Sequence, residues 1–381
     1  MRYRITHKTD YRYVNAVAQS NHLVHLGPRQ TMGQTIERHE LLINPKPALR
    51  RDYHDYFGNP AQHLVIEENH NLFSVEAQSI INVERDHTAT LALSVAGWET
   101  VRDLMFDPKY TAEAEFTCYT GFTTPTAEIA AYGEISFPPG RPMLQAVLDL
   151  TSRIYHDFDY DSTITDATTP VEQMFEIKGG VCQDFAHLQL ACLRALGLPA
   201  RYVSGYLRTY PPEGQPRLVG ADASHAWISV WCPEAGWVDF DPTNNKMIAD
   251  EHITLTIGRD FVDVSPLSGV ILGGGQHFID VSVDVMPIDN SGKEIGQSIT
   301  NADQQAKPAA SAPAAPALAP SAPQSPPPEQ ATQEQSQAPG LARTQEQSQS
   351  QAQQSQPASG DQASQTASTP PIPPISADRT Y

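Results

Sequence analysis

Apolar positions along this chain fall into two periods. Over residues 1 to about 88 they alternate. RYRITHKTDYRYV and SVEAQSIINVE place aromatic and aliphatic side chains at every second position, and HELLINP and HLVIEE are short apolar runs. These read as strands, with FGNP as a turn between two of them. Residues 89–140 are mixed and end in the breaker cluster FPPGRP. From about 141 the spacing changes to three and four: RPMLQAVLDLTSRIYHDF suits an amphipathic helix. A second helix is expected from Cys182 to Leu196. Gly179–Gly180 precede it, Phe185, Leu188, Cys192 and Leu196 line one face, and Gly197-Leu-Pro199 ends it. The strands ARYVSGYLR, HAWISVWC and GWVDFD follow, with a polar, Pro-rich loop at 209–222. ITLTIGRDFVDV and HFIDVSVDVMP add more. Helices followed by a run of sequential strands predict an α+β fold whose helix packs on an antiparallel sheet, behind a strand-rich N-terminal domain. The expected divisions are 1–88 for that domain, 89–140 for a connecting segment, 141–290 for the core with its C-terminal strands, and 291–381 for a tail.

The tail is set apart by composition. Residues 301–381 hold 14 of the 32 prolines and 16 glutamines, and Tyr381 is their only aromatic. Such a segment cannot bury enough apolar area to offset its ordering entropy, so disorder is expected. The chain carries 25 Lys+Arg against 44 Asp+Glu, a formal charge of −19. A surface that acidic repels phosphate backbones and anionic lipid, which argues against nucleic acid and membrane headgroups as partners. No apolar run reaches 18 residues, and the alternating N-terminus is unlike a signal peptide, so a cytoplasmic location is expected. Cys118, Cys182, Cys192 and Cys232 include no CxxC pair; they read as reduced thiols.

One of these thiols stands where chemistry is favoured. Cys182 follows two glycines and opens a helix, where unpaired N–H groups and the helix dipole favour a thiolate. The glycine pair would let a substrate backbone approach the sulfur, which is expected to be exposed. Cys192 lies on the apolar face of the same helix and reads as core. A thiol nucleophile needs a base, and the base needs a partner that fixes its tautomer. His225 begins the strand HAWISVWC, and Asp241 ends the next, GWVDFD, before Pro242. If the two strands are antiparallel neighbours joined by PEAG, the start of one meets the end of the other. Taken singly, His225 is an ordinary strand histidine and Asp241 opens an Asx turn; together with Cys182 they form a candidate triad.

The stretches GGVCQDFAHLQLACLRALGLPARYVSGYL, SHAWISVWCPEAGWVDFDPTNN and GRDFVDVSPLSGVILGG resemble the bacterial branch of the transglutaminase-like superfamily. The N-terminal stretch, with LGPRQ and YFGNP, is similar to the strand-rich region that accompanies this core in bacteria. The resemblance implies a papain/transglutaminase-like core with Cys182 as nucleophile, His225 as base and Asp241 as orienter. It implies thiol acyl transfer on an amide or peptide substrate, which can itself be a protein, without metal or organic cofactor. The family includes cross-linking enzymes, amidases, peptidases and inactive relatives, and hydrolysis is the outcome expected here.

Other signals are weaker. Asp157, Asp159 and Asp161 form D-x-D-x-D, but Ser162 and Thr168 replace the Gly and Glu of a calcium loop. Asp239, two residues before Asp241, is a rival orienter. His187, five residues beyond Cys182, is turned away from the sulfur. Gly273–Gly275 lack the helix and Lys-Ser/Thr of a phosphate loop. Trp227 either shields the site or packs in the sheet.

Overall fold

The computed structural model describes residues 1–85, 95–210 and 222–295. The fold is α+β, and its two main sheets are antiparallel. The first is organised by β1 (Arg2–Val24), which is longer than its alternating pattern suggested. Tyr3, Ile5, His7, Thr9, Tyr11 and Tyr13 are buried, as a period of two requires. The first half of β1 lies between β5 (His70–Val83) and β14 (His277–Pro287). Its second half lies between β4 (Pro60–Ile66) and β13 (Leu267–Gly273). β2 (Gln34–Asn44) pairs β5, and β3 (Leu49–His54) pairs β4. All six residues of β3 are exposed, so it carries no apolar pattern to predict it by.

The second sheet runs in the order β11 (Lys246–Met247), β10 (Gly236–Asp241), β9 (Ala223–Cys232), β8 (Ala200–Leu207), β12 (His252–Gly258). Between the two sheets in sequence come α1 (Trp98–Leu104), α2 (Ala127–Glu134), α3 (Met143–Asp157) and α4 (Val171–Ile177). α5 (Cys182–Ala195) packs on β8 and β9. A short helix, α6 (Phe261–Val264), replaces the second half of the strand expected at ITLTIGRDFVDV, with the Asp260 side chain capping Val262 N–H.

α5 was expected to be amphipathic, but every residue from Cys182 to Arg194 is buried. Its apolar face meets the sheet, and Val101, Ile129, Val147 and Met174 of the preceding helices join the same core. Its polar side chains find partners inside. Gln189 donates to Thr151, Gln183 to the Ala167 carbonyl, and Arg194 to the carbonyls of Phe116, Ala200 and Arg259. Residues 95–140 are therefore part of the core's wall, where composition suggested a connector. Cys192 is fully buried among these residues, close to Gly133 of α2, where a Cβ would stand 2.9 Å from its own. Burial pushes its thiol up to about 12. Cys192→Ala is expected to lower stability by about 1–2 kcal/mol through a small cavity while leaving activity intact, as thermal or urea melts beside an activity assay will read.

A further difference concerns residues 267–287. Sequence order alone places them with the core's C-terminal strands, but β13 and β14 pair with β1 and complete the N-terminal sheet. The core also leans on that region through β12, whose outer edge meets side-chain amides instead of a strand. Gln34 accepts from Thr254 N–H at 2.8 Å and donates to its carbonyl at 2.7 Å. Asn59 does the same to Ile257, at 2.9 and 2.8 Å. Two carboxamides thus satisfy the edge a neighbouring strand would have used.

The expected loop at 209–222 falls mostly on 211–221, and the expected tail mostly on 296–381; both lie outside the described residues. No helix among the described residues is long and apolar enough to cross a membrane.

Candidate active site

β7 (Gly179–Gly180) pairs in parallel with β6 (Asp159–Tyr160) and delivers Cys182 to the first position of α5. Asp184, at the third position, turns back to accept from Val181 N–H at 2.9 Å and from the Thr165 hydroxyl at 2.7 Å. This carboxylate caps the helix start. Burial nevertheless raises it to about 6, against those two hydrogen bonds. The glycines are required by this local structure. A Cβ on Gly180 would stand 2.6 Å from Asp184 Oδ2, and one on Gly179 would stand 2.9 Å from the Asp159 carbonyl. Cys182 itself is 6% exposed, not open to solvent as expected.

β9 and β10 pair antiparallel, with Phe240 opposite Ile228, so His225 and Asp241 meet as the strand argument requires. Both are buried, Asp241 completely. His225 Nε2 lies 2.8 Å from Asp241 Oδ2, and Cys182 lies near enough to the same ring to raise it. With Nε2 taken, Nδ1 is the nitrogen left for the sulfur. Asp241 does two jobs, one with each oxygen. Oδ1 accepts from the N–H groups of Thr243 and Asn244 at 2.9 and 3.2 Å, which is the Asx turn. Oδ2 accepts from His225, from Asn244 Nδ2 at 2.7 Å, and from His252 Nε2 at 3.0 Å.

The charges follow from these contacts. Burial works against an imidazolium at His225, but the Asp241 carboxylate and Cys182 outweigh it and push the ring up to about 10. Burial likewise opposes charge on Asp241, yet His225 and His252 hold its carboxyl well below the usual range. Tyr160 and Tyr202 stand close enough to sense Cys182 and Asp184; burial first, then those charges, raise both phenols. The centre of the site is therefore a buried imidazolium between a carboxylate and a sulfur.

The remaining candidates separate from it. Asp239 accepts from Trp227 Nε1 at 3.0 Å, so it holds the indole and not His225. Trp227 is fully buried over Gly205, where any Cβ would collide with its ring and with the Ile253 carbonyl. It both packs the sheet and walls His225, with ring centroids 6.0 Å apart. His187 accepts from Phe261 N–H at 3.2 Å between Phe122 and Tyr202; burial lowers it to about 3, so it is a neutral structural ring. Asp157 accepts from Tyr132, and Asp161 closes a turn on Thr163. Gly273–Gly275 all have positive φ and form the turn between β13 and β14.

Two site residues were not anticipated. Asn244 lies in the DPTNN stretch three residues after Asp241, with no signal of its own. His252 was one of 13 histidines, and its position, eleven residues past Asp241 at the start of a strand, was the available signal. Among the described residues, His225, Asp241 and His252 are also the one group of three ligand-type side chains whose atoms lie within 4.8 Å of each other. Their bonding does not suit a cation. Ala249 N–H donates to His252 Nδ1, which leaves the ring proton on Nε2. That nitrogen is then a donor to Asp241, not a lone pair for a metal.

Residues 137–242 match the family described as the transglutaminase-like superfamily, and residues 3–82 match the bacterial transglutaminase-like N-terminal region. An uncharacterized protein of Mycobacterium tuberculosis is 40% identical over 295 residues, covering 76% of this chain and 93% of its own length. One of Mycobacterium leprae is 30% identical over 287 residues, covering 74% and 98%. The protein-glutamine gamma-glutamyltransferase of Pseudomonas aeruginosa matches a shorter stretch, 41% identical over 81 residues, 21% of this chain and 12% of that protein. Among solved structures, a candidate cysteine protease from Cytophaga hutchinsonii has a TM-score of 0.59 and 21% identity, over 78% of this chain and 94% of that one. At that identity the likeness carries the fold.

Proposed function

Because this chain belongs to the transglutaminase-like superfamily, with the bacterial N-terminal region ahead of its core, we propose that it is a thiol enzyme acting through Cys182, His225 and Asp241. The observation that carries this is one ring between two groups: His225 is bonded to Asp241 Oδ2 at 2.8 Å and lies near enough to Cys182 to be held charged by it. The Cys182 sulfur attacks the carbonyl of a carboxamide or peptide. Its C–S bond forms as the oxygen takes up charge, and the N–H of Cys182, at a helix position with no intrahelical acceptor, donates to that oxygen. His225 gives its Nδ1 proton to the departing amine, the C–N bond breaks, and a thioester remains. Asp241 keeps the ring oriented and offsets its charge throughout.

Water then takes the acyl group, with His225 as base, and the enzyme is an amidase or peptidase. Water needs no dedicated binding site, which favours this outcome. The second reading is transamidation to an amine, favoured by the match to the Pseudomonas aeruginosa glutamyltransferase. The substrate is a peptide or amide, including one within a protein; with a charge of −19, neither nucleic acid nor an anionic membrane surface suits it. Four cysteines with no CxxC pair among them suit the reducing cytoplasm, where we place it.

Iodoacetamide labelling at pH 6, mapped by peptide mass spectrometry, tests the site. An ordinary thiol, with a pKa of about 8.5, is almost wholly protonated there. Cys182 opens a helix beside His225, so it is expected to react at least about tenfold faster than the exposed Cys118. Equal or slower labelling removes the thiol reading. Acyl transfer from p-nitrophenyl acetate with and without added amine then separates the two acceptors.

A further inference from the structure

We propose that His252 is a positioning residue for Asp241, and that the N-terminal sheet holds it in place through β12. The proposal rests on the functional reading above and deepens it. Asp241 Oδ2 takes two imidazole N–H groups from different strands, His225 at 2.8 Å and His252 at 3.0 Å. A lone contact partner could be packing. This one has its proton assigned by the backbone, because Ala249 N–H donates to His252 Nδ1 at 3.3 Å and leaves Nε2 as the donor. The ring is fully buried and stands edge-on to Trp227, at 83° with centroids 5.4 Å apart.

The chemistry explains why a neutral imidazole suits this position. It directs one N–H at the carboxylate without cancelling its charge, which a Lys or Arg there would do. Burial lowers His252, and Asp241 opposes that only in part, so the ring stays neutral. The carboxylate cannot rotate away from His225 without giving up this bond, the one from Asn244 and its Asx turn. Fixing the orienter fixes the ring that faces the sulfur.

What places His252 lies outside the core. The Arg85 guanidinium, just past β5, donates to the carbonyls of Ala249 and His252 and to Thr254 Oγ1. Arg85 N–H also donates to Asp250 Oδ1 at 2.9 Å. With Gln34 on Thr254 and Asn59 on Ile257, the N-terminal region grips β12 along its length. Contacts thus run from Arg85 through the backbone of His252 to its ring, then to Asp241 and His225.

Turnover of p-nitrophenyl acetate by full-length protein tests this, with Cys182→Ala as reference. His252→Leu is expected to lower kcat about 30-fold with KM within twofold, and His252→Gln, which keeps an N–H donor, to recover most of that loss. Arg85→Met is expected to lower kcat about threefold to tenfold by freeing the loop. Wild-type kcat in His252→Leu, or an equal loss in the Gln and Leu variants, overturns the proposal. Should His252→Leu fail to fold, nitrogen-15 NMR of the wild-type ring decides: a neutral Nε2–H tautomer supports the proposal and Nδ1–H overturns it. If turnover persists in Cys182→Ala, the thiol reading itself fails, whatever the His252 variants do.

Discussion

Cys182→Ala is expected to reduce turnover of p-nitrophenyl acetate or a peptide amide to the uncatalysed background. Removing the nucleophile of a covalent mechanism costs up to about 10⁶-fold in kcat, because the remaining members of the set have nothing to activate. The sulfur is 6% exposed, so the change also deletes a buried atom, and a stability loss of about 1 kcal/mol is expected with the fold intact. The two effects differ so much in size that they cannot be confused. A melt within a few degrees of wild type beside absent turnover supports the mechanism; turnover near wild type in a folded Cys182→Ala protein ends it. His225 offers an internal check. Its charge is supported partly by Cys182, so the variant's ring should titrate at lower pH than the wild type's about 10.

Asp241→Asn is expected to lower kcat by about 10⁴-fold. The geometry gives two reasons. Asp241 Oδ2 accepts three donors and Oδ1 two, so an amide NH₂ at either place meets N–H groups head-on. If the amide donates to His225 Nε2, the ring proton moves to Nδ1 with no acceptor charge behind it, and the neutral ring no longer serves as base toward the sulfur. The lost charge acts in the same direction. Burial disfavours the imidazolium, and without the carboxylate it prevails. The sign for pH follows: a pKa raised by Asp241 falls when Asp241 is neutralised, so any residual activity should lose its alkaline limb at lower pH than wild type. Asp239→Asn keeps a carbonyl to accept from Trp227 Nε1 and should stay within about tenfold of wild type. A reversed ranking of the two variants would place the orienter two residues earlier in β10.

Much of this was legible in the sequence because the informative features were local. The period-two run from Arg2, the helix starting at Cys182 and the short β9–β10 hairpin each depend on residues within about twenty positions. The hairpin alone is enough to bring His225 to Asp241. What escaped depends on distant pairing. β13 and β14 look like continuations of the core, and only β1, more than 240 residues earlier, shows where they belong. The polar residues of α5 suggested an outer face, since nothing local announces that Thr151, Phe116 or Arg259 will satisfy them. His252 was hidden for another reason. It is only eleven residues past Asp241, but β9 and β8 stand between β10 and β12 in the sheet, so neither spacing nor strand order announces that the two side chains meet.

The pairing of β1 with β13 and β14 also sets an order of events during synthesis. β1 leaves the ribosome ahead of all its partners, and β4 and β5 follow within about sixty residues. One side of β1 can then pair early. The other side waits for residues 267–287. At about 5–20 residues per second, the intervening 240 or so take roughly 12–50 s to make. Through that interval the nascent chain carries a long open strand edge, an aggregation-prone surface of the kind that makes chaperones necessary. The sheet that braces β12 is thus the last part of the described fold to close.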